Sequence, residues 1–95
     1  MEKALVMNEA DNTVTAISDL HSGQIVSVLI GDKRVNVLLA EDIPFGHKFA
    51  LRDIAPGENI VKYGEIIGRS TAAIKQGEHV HIHNVEGLRG RGDKR

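Results

Sequence analysis

The sequence contains no cysteine and no tryptophan, and its 95 residues include only two phenylalanines, one tyrosine and two prolines. Without thiols there is no disulfide, no thiolate nucleophile and no thiolate metal site, which leaves histidine and carboxylates as the strong ligands. Charge of one sign is also lacking. Lysine and arginine total 12 against 13 for aspartate and glutamate, a formal net charge of −1, so no global field draws the chain to nucleic acid or an anionic membrane. No apolar run approaches the roughly 18 residues of a membrane span, and the N-terminus opens on charged Glu2 and Lys3. The expectation is a soluble, cytoplasmic protein. A chain of this length makes one domain with a modest core, too small to enclose a sizeable active site alone, so a partner chain is expected.

Valine, isoleucine and threonine recur in short segments punctuated by glycine, the signature of many short strands. Candidate strands are Ala4 to Met7, Thr13 to Ile17, Ile25 to Ile30, Arg34 to Leu39, His47 to Leu51, Asn59 to Ile60, Glu65 to Ile67 and Glu78 to His83. Gly31-Asp32-Lys33 reads as a hairpin turn between two of them. A motif returns four times, at Asp19-Leu20-His21-Ser22-Gly23, Asp42-Ile43-Pro44-Phe45-Gly46, Asp53-Ile54-Ala55-Pro56-Gly57 and Ala73-Ile74-Lys75-Gln76-Gly77. Each predicts a one-turn helical or type I corner: the aspartate that begins three of the four accepts backbone N–H bonds, the aliphatic residue enters the core, and glycine supplies a positive φ. The irregular spacing of the motifs excludes a solenoid. Residues 1–84 are therefore expected to form one compact β domain. Residues 85–95, rich in glycine and cations, are expected to form a flexible tail.

The run Gly77-Glu78-His79-Val80-His81-Ile82-His83-Asn84 holds three of the five histidines. In an extended strand His79, His81 and His83 line one face while Val80 and Ile82 turn to the other. At about 3.3 Å per residue, His79 and His83 stand roughly 13 Å apart and cannot share an ion, whereas neighbours about 6.6 Å apart can. Two histidines plus a third donor suit Fe(II) or Zn(II), with a position left open for a substrate oxygen. The alternative is a ladder of surface or interface histidines satisfied by hydrogen bonds and ring packing.

His47 follows a glycine corner and can supply a third ligand, or an acid for a departing hydroxyl if it faces the same cleft. Alternation places Lys48 on the opposite face from His47, a restriction that a bulge beside Gly46 would lift. The bland reading is an exposed lysine beside a partly buried histidine. Lys62 can grip an anionic group, and Tyr63 is expected to close one end of the core. The tail cations Arg89, Arg91, Lys94 and Arg95 lack aromatic platforms, so nucleic acid is not an expected partner.

The segments Ile43 to Ile54, Ile60 to Arg69 and Gly77 to Asn84 resemble, in order and separation, the small subunit or N-terminal SAF domain of the altronate dehydratase family. That family also includes galactarate dehydratase and the sulfolactate sulfo-lyase small subunit. The resemblance implies a mainly β, SAF-type β-clip fold of short bent strands. It implies a hydro-lyase that dehydrates a sugar acid in sugar acid catabolism, or a related lyase that eliminates sulfite. The implied cofactor is a divalent metal, Fe(II) first and Mn or Zn after it, held mainly by a large dehydratase subunit. Alone the chain is expected to be inactive and able to self-associate into a homo-oligomer. On this reading His47, His79, His81 and His83 are the candidate catalytic residues, with His79 and His81 as metal ligands and Lys48, Lys62 and Asn84 contacting substrate. The competing reading is a non-catalytic module that binds a carboxylate or sugar, or acts as a lid, in a related lyase.

Overall fold

The computed structural model describes residues 2–87, which are β throughout with no helix among them. The strands are β1 (Ala4–Leu5), β2 (Thr13–Ala16), β3 (Ile25–Ile30), β4 (Lys33–Leu38), β5 (Lys48–Ala50), β6 (Asn59–Lys62), β7 (Glu65–Ser70), β8 (His79–Val80) and β9 (Val85–Gly87). They form three antiparallel sheets, ordered β1-β2-β5-β8, β3-β4 and β6-β7-β9.

The β3-β4 hairpin keeps the period-2 rule, burying Val26, Val28 and Val37 while Ile25, Ser27 and Leu29 face outward. Its loop is the two residues Gly31-Asp32, with Gly31 at φ +61°, as expected. The β6-β7 hairpin is longer than its sequence predicts. Its loop is Tyr63-Gly64, with φ +55° and +77°, the double left-handed geometry of a type I′ turn that carries both strands right up to it. Tyr63 is therefore a half-exposed turn residue and does not close the core.

The four corners are turns rather than helical, and they work in pairs. Leu20 bridges Ile43, and Ile54 bridges Ile74, all four side chains being at most 1% exposed. The first pair enters a larger core with Val14, Val26, Val37 and Phe49, and the second enters a smaller core with Ala50, Ile60 and Val80. The aspartates act across each pair instead of capping their own turns. Asp19 accepts from Phe45 N–H (2.8 Å), Asp42 from Ser22 N–H (2.9 Å) and Asp53 from Gln76 N–H (2.9 Å).

Strand β5 joins the two cores, since Phe49 lies in one and the adjacent Ala50 in the other. A second tie is buried Asn12. The β6-β7 register shifts between Ile60 and Val61, and Asn12 binds β6 beside that point. Its Oδ1 accepts from Val61 N–H, its Nδ2 donates to Asn59 O and its own N–H donates to Val61 O. Both backbone groups of Val61 are thus satisfied from outside its hairpin. Order also extends past Asn84, because Val85–Gly87 pairs with Gly68–Ser70 as the third strand of its sheet. The rest of the expected tail, 88–95, lies outside the described residues.

Candidate functional site

His79 begins β8, and the extended ladder expected to continue through His83 ends at Val80. The reason is Asn84, whose short amide binds its own turn. Asn84 Oδ1 accepts from His81 N–H (2.9 Å), Nδ2 donates to His79 O (2.8 Å), and Asn84 N–H donates to His81 O (3.1 Å). The chain therefore folds over at 81–84. Ile82, expected on the buried face, stands 84% exposed.

Breaking the ladder brings a different trio together. Strands β5 and β8 pair Lys48 with Val80 and Phe49 with His79, and carrying that register one step further sets His47 opposite His81. The His47 and His81 rings stack with centroids 4.3 Å apart, and His79 stacks on them at 5.1 and 5.2 Å. His47 Nδ1 lies 2.9 Å from His79 Nε2. One of these nitrogens donates to the other, which requires that the acceptor be unprotonated. His83 is exposed on the turn, its ring tilted 37° against His79 at 5.4 Å.

Burial pushes the His79 pKa below its ordinary value, the charges of His47, His81 and His83 add to that, and Glu41 opposes it. Loss of solvent also lowers His81, followed by the charges of His47, Lys48 and His83. Both imidazoles are thereby biased toward the neutral form that ligates metals and accepts protons. Lys48 is half-buried, and its pKa is lowered by desolvation and then by Lys62. It lines a groove of about 280 Å³ together with His81, Ile67, Ile82, Val85 and Gly87. Lys48 thus reaches the neighbourhood of His81 despite the alternation argument. Lys62 Nζ lies 5.0 Å over the Tyr63 ring, and its charge is felt at Lys48. Asn84 is buried, with its amide committed to the turn.

Sequence reasoning missed Glu41, whose carboxylate accepts from His79 N–H at 3.1 Å and places a negative charge beside the imidazoles. No local signal marks it, since it lies 38 residues from His79.

Known enzymes share this domain. Residues 2–88 match the altronate/galactarate dehydratase SAF domain. The chain belongs to that SAF domain family. It is 39% identical over 85 residues to (2R)-sulfolactate sulfo-lyase subunit alpha of Chromohalobacter salexigens, covering 85% of this chain and 90% of that protein. It is 49% identical over 75 residues to altronate dehydratase of Escherichia coli, covering 79% of this chain, and 34% identical over 86 residues to that of Bacillus subtilis, covering 90%. Those two matches span only 14% and 16% of the dehydratases. The SAF domain thus occurs both as a separate lyase subunit and as a small part of a longer enzyme.

The donor set of this SAF domain fits a divalent ion. The ligating atoms of His47, His79 and His81 all lie within 4.8 Å of one another. Nitrogens bound at 2.0–2.1 Å to one tetrahedral ion stand about 3.3 Å apart, so the 2.9 Å pair would open by a few tenths of an ångström. Two of the three rings are already biased toward the neutral state that ligation requires.

Proposed function

We propose that this chain is the small component of a carbon–oxygen lyase that dehydrates a sugar acid of the altronate type at an active site shared with a larger subunit. The observation that supports this reading is the stacked trio His47, His79 and His81, with Lys48 beside it and the charge of Lys62 felt at Lys48, in a domain of the dehydratase family. Elimination next to a carboxylate needs a base for the α proton, an acid for the departing hydroxyl and cationic groups for the carboxylate. His47 supplies a proton carrier, and Lys48 with Lys62 supplies positive charge. A divalent metal, iron(II) first, would be held mainly by the large subunit, with His79 and His81 as ligands from this side; it would make the α proton more acidic and the hydroxyl a better leaving group. Lys48 and Lys62 orient the carboxylate, and the turn at 81–84 positions His81.

A second reading has its own support. The match to the sulfo-lyase alpha subunit covers 90% of that protein, which favours a free-standing subunit whose substrate is a sulfonated hydroxy acid. The test is reconstitution with a large dehydratase-type subunit, assayed on altronate, galactarate and sulfolactate. Turnover is expected only in the complex, with kcat reduced about 100-fold or more in His47→Ala, His79→Ala and His81→Ala, as for loss of a positioned acid, base or ligand. Turnover by the 95-residue chain alone would overturn the division of labour. A rise in KM alone would reassign the trio to binding.

A further inference from the structure

The four corners share one backbone frame, and the second departs from the others at two positions. In every corner the residue after the glycine donates its N–H to the carbonyl three residues earlier: Gln24 to His21 (3.1 Å), His47 to Pro44 (2.9 Å), Glu58 to Ala55 and Glu78 to Lys75 (both 3.0 Å). In every corner that same residue's carbonyl accepts from a neighbouring strand or its flank: Gln24 from Leu39, His47 from Ala16, Glu58 from Ser70 and Glu78 from Ala50. The side chains then divide. Gln24 reaches back to accept from His21 N–H (3.0 Å), Glu58 from Ala55 N–H (3.0 Å) and Glu78 from Lys75 N–H (2.9 Å), the reciprocal half of a capping box. In the second corner the N–H to be satisfied does not exist, because the residue is Pro44. The side chain at 47 has no turn to close, and it points to His79 instead.

We infer that Pro44 is a positioning residue: by removing the N–H that binds this side chain in the three sibling corners, it frees His47 to join His79 and His81. The inference rests on the reading that His47 belongs to the site, but its tests do not depend on turnover. With Pro44→Ala the turn regains a donor, and a side chain at 47 is drawn back toward it.

Two measurements on the full chain decide it. The first compares the effect of Pro44→Ala on Tm in His47→Glu and His47→Ala backgrounds, since only glutamate can accept the new N–H. The effect is expected to be about 4–8 °C more favourable in the His47→Glu background, the size of one recovered hydrogen bond in a domain of this length. Equal effects in the two backgrounds would overturn the inference. The second follows the ring contact between His47 and His81, 4.3 Å apart, by NMR cross-relaxation. The contact is expected in the parent chain, to weaken in Pro44→Ala and to return when position 44 carries N-methylalanine, which lacks the N–H without the ring. A contact that persists in Pro44→Ala, or fails to return with N-methylalanine, would show that the missing N–H is not the cause. If the contacts behave as expected while His47→Ala leaves turnover of the reconstituted complex intact, the positioning stands and the functional reading of His47 falls.

Discussion

Gly77 carries two constraints where its sibling glycines carry one. Gly23, Gly46, Gly57 and Gly77 hold φ between +83° and +87°, where a side chain costs about 1–2 kcal/mol. A Cβ at position 23, 46 or 57 would meet open space, but at 77 it would overlap the Leu38 carbonyl. That carbonyl has little freedom, because Ala40 N–H donates to Gly77 O at 3.0 Å and holds the two segments together. Gly46→Ala is expected to cost about 1–2 kcal/mol and Gly77→Ala about 3 kcal/mol or more, read as stability losses in denaturant titrations. Equal losses would mean that the crowding at 77 is relieved by small shifts. The need for glycine at these positions is legible in the sequence, because tolerance of positive φ belongs to the residue itself. The chemical promise of the histidines is legible for the same reason. Which histidines meet is not, because His47 arrives through strand register from 32 residues away, and His83 is turned aside by one asparagine amide.

At the scale of the element, the corners show how a repeated motif can be read correctly and its partner missed. The aliphatic and glycine positions behave as the motif predicts. Each aspartate, however, bonds a turn 20 to 26 residues distant, and spacing along the chain reveals only local partners. The pairing explains a gap in the repeat. Asp19 and Asp42 exchange bonds reciprocally, while Asp53 serves Gln76 with nothing returned. The missing bond would run from residue 73 to the N–H of residue 56, and those positions are Ala73 and Pro56, so acceptor and donor are absent together. Ala73→Asp alone is therefore expected to be nearly neutral. Combined with Pro56→Ala it completes the exchange, with a favourable coupling of about 0.5–1.5 kcal/mol in a double-mutant cycle. A coupling of zero would show that these crossing bonds add nothing to stability at an exposed corner. Strand ends are less legible than corners for a related reason: the tyrosine-glycine loop and β9 depend on partners the sequence does not display.

At the scale of the whole molecule, the histidine trio sits at the end of the sheet that holds the two cores together. Strand β5 contributes Phe49 to one core and Ala50 to the other, and His47 immediately precedes it. Protonation at the site is therefore expected to register in global stability. The sign follows from the depressed pKa values of His79 and His81. As pH falls through about 6.5, where exposed histidine titrates, the unfolded chain takes up protons that the folded site resists, so stability declines until the folded imidazoles also protonate. Above about pH 7 both states carry neutral rings and this contribution is flat. Glu58 is lowered below its ordinary value of 4.5, chiefly by Ala55 N–H and then Arg52, so its contribution is lost in a separate, more acidic window. Thermal melts between pH 8 and pH 5 are expected to show a plateau, then a falling Tm below about 6.5, with the fall reduced in His79→Gln. A Tm that holds level to pH 5 would mean that the rings separate on protonation without cost to the sheet. The trio would then be a mobile edge of the domain, and the burden of organising it would pass to whatever covers Ile82 and the adjoining groove.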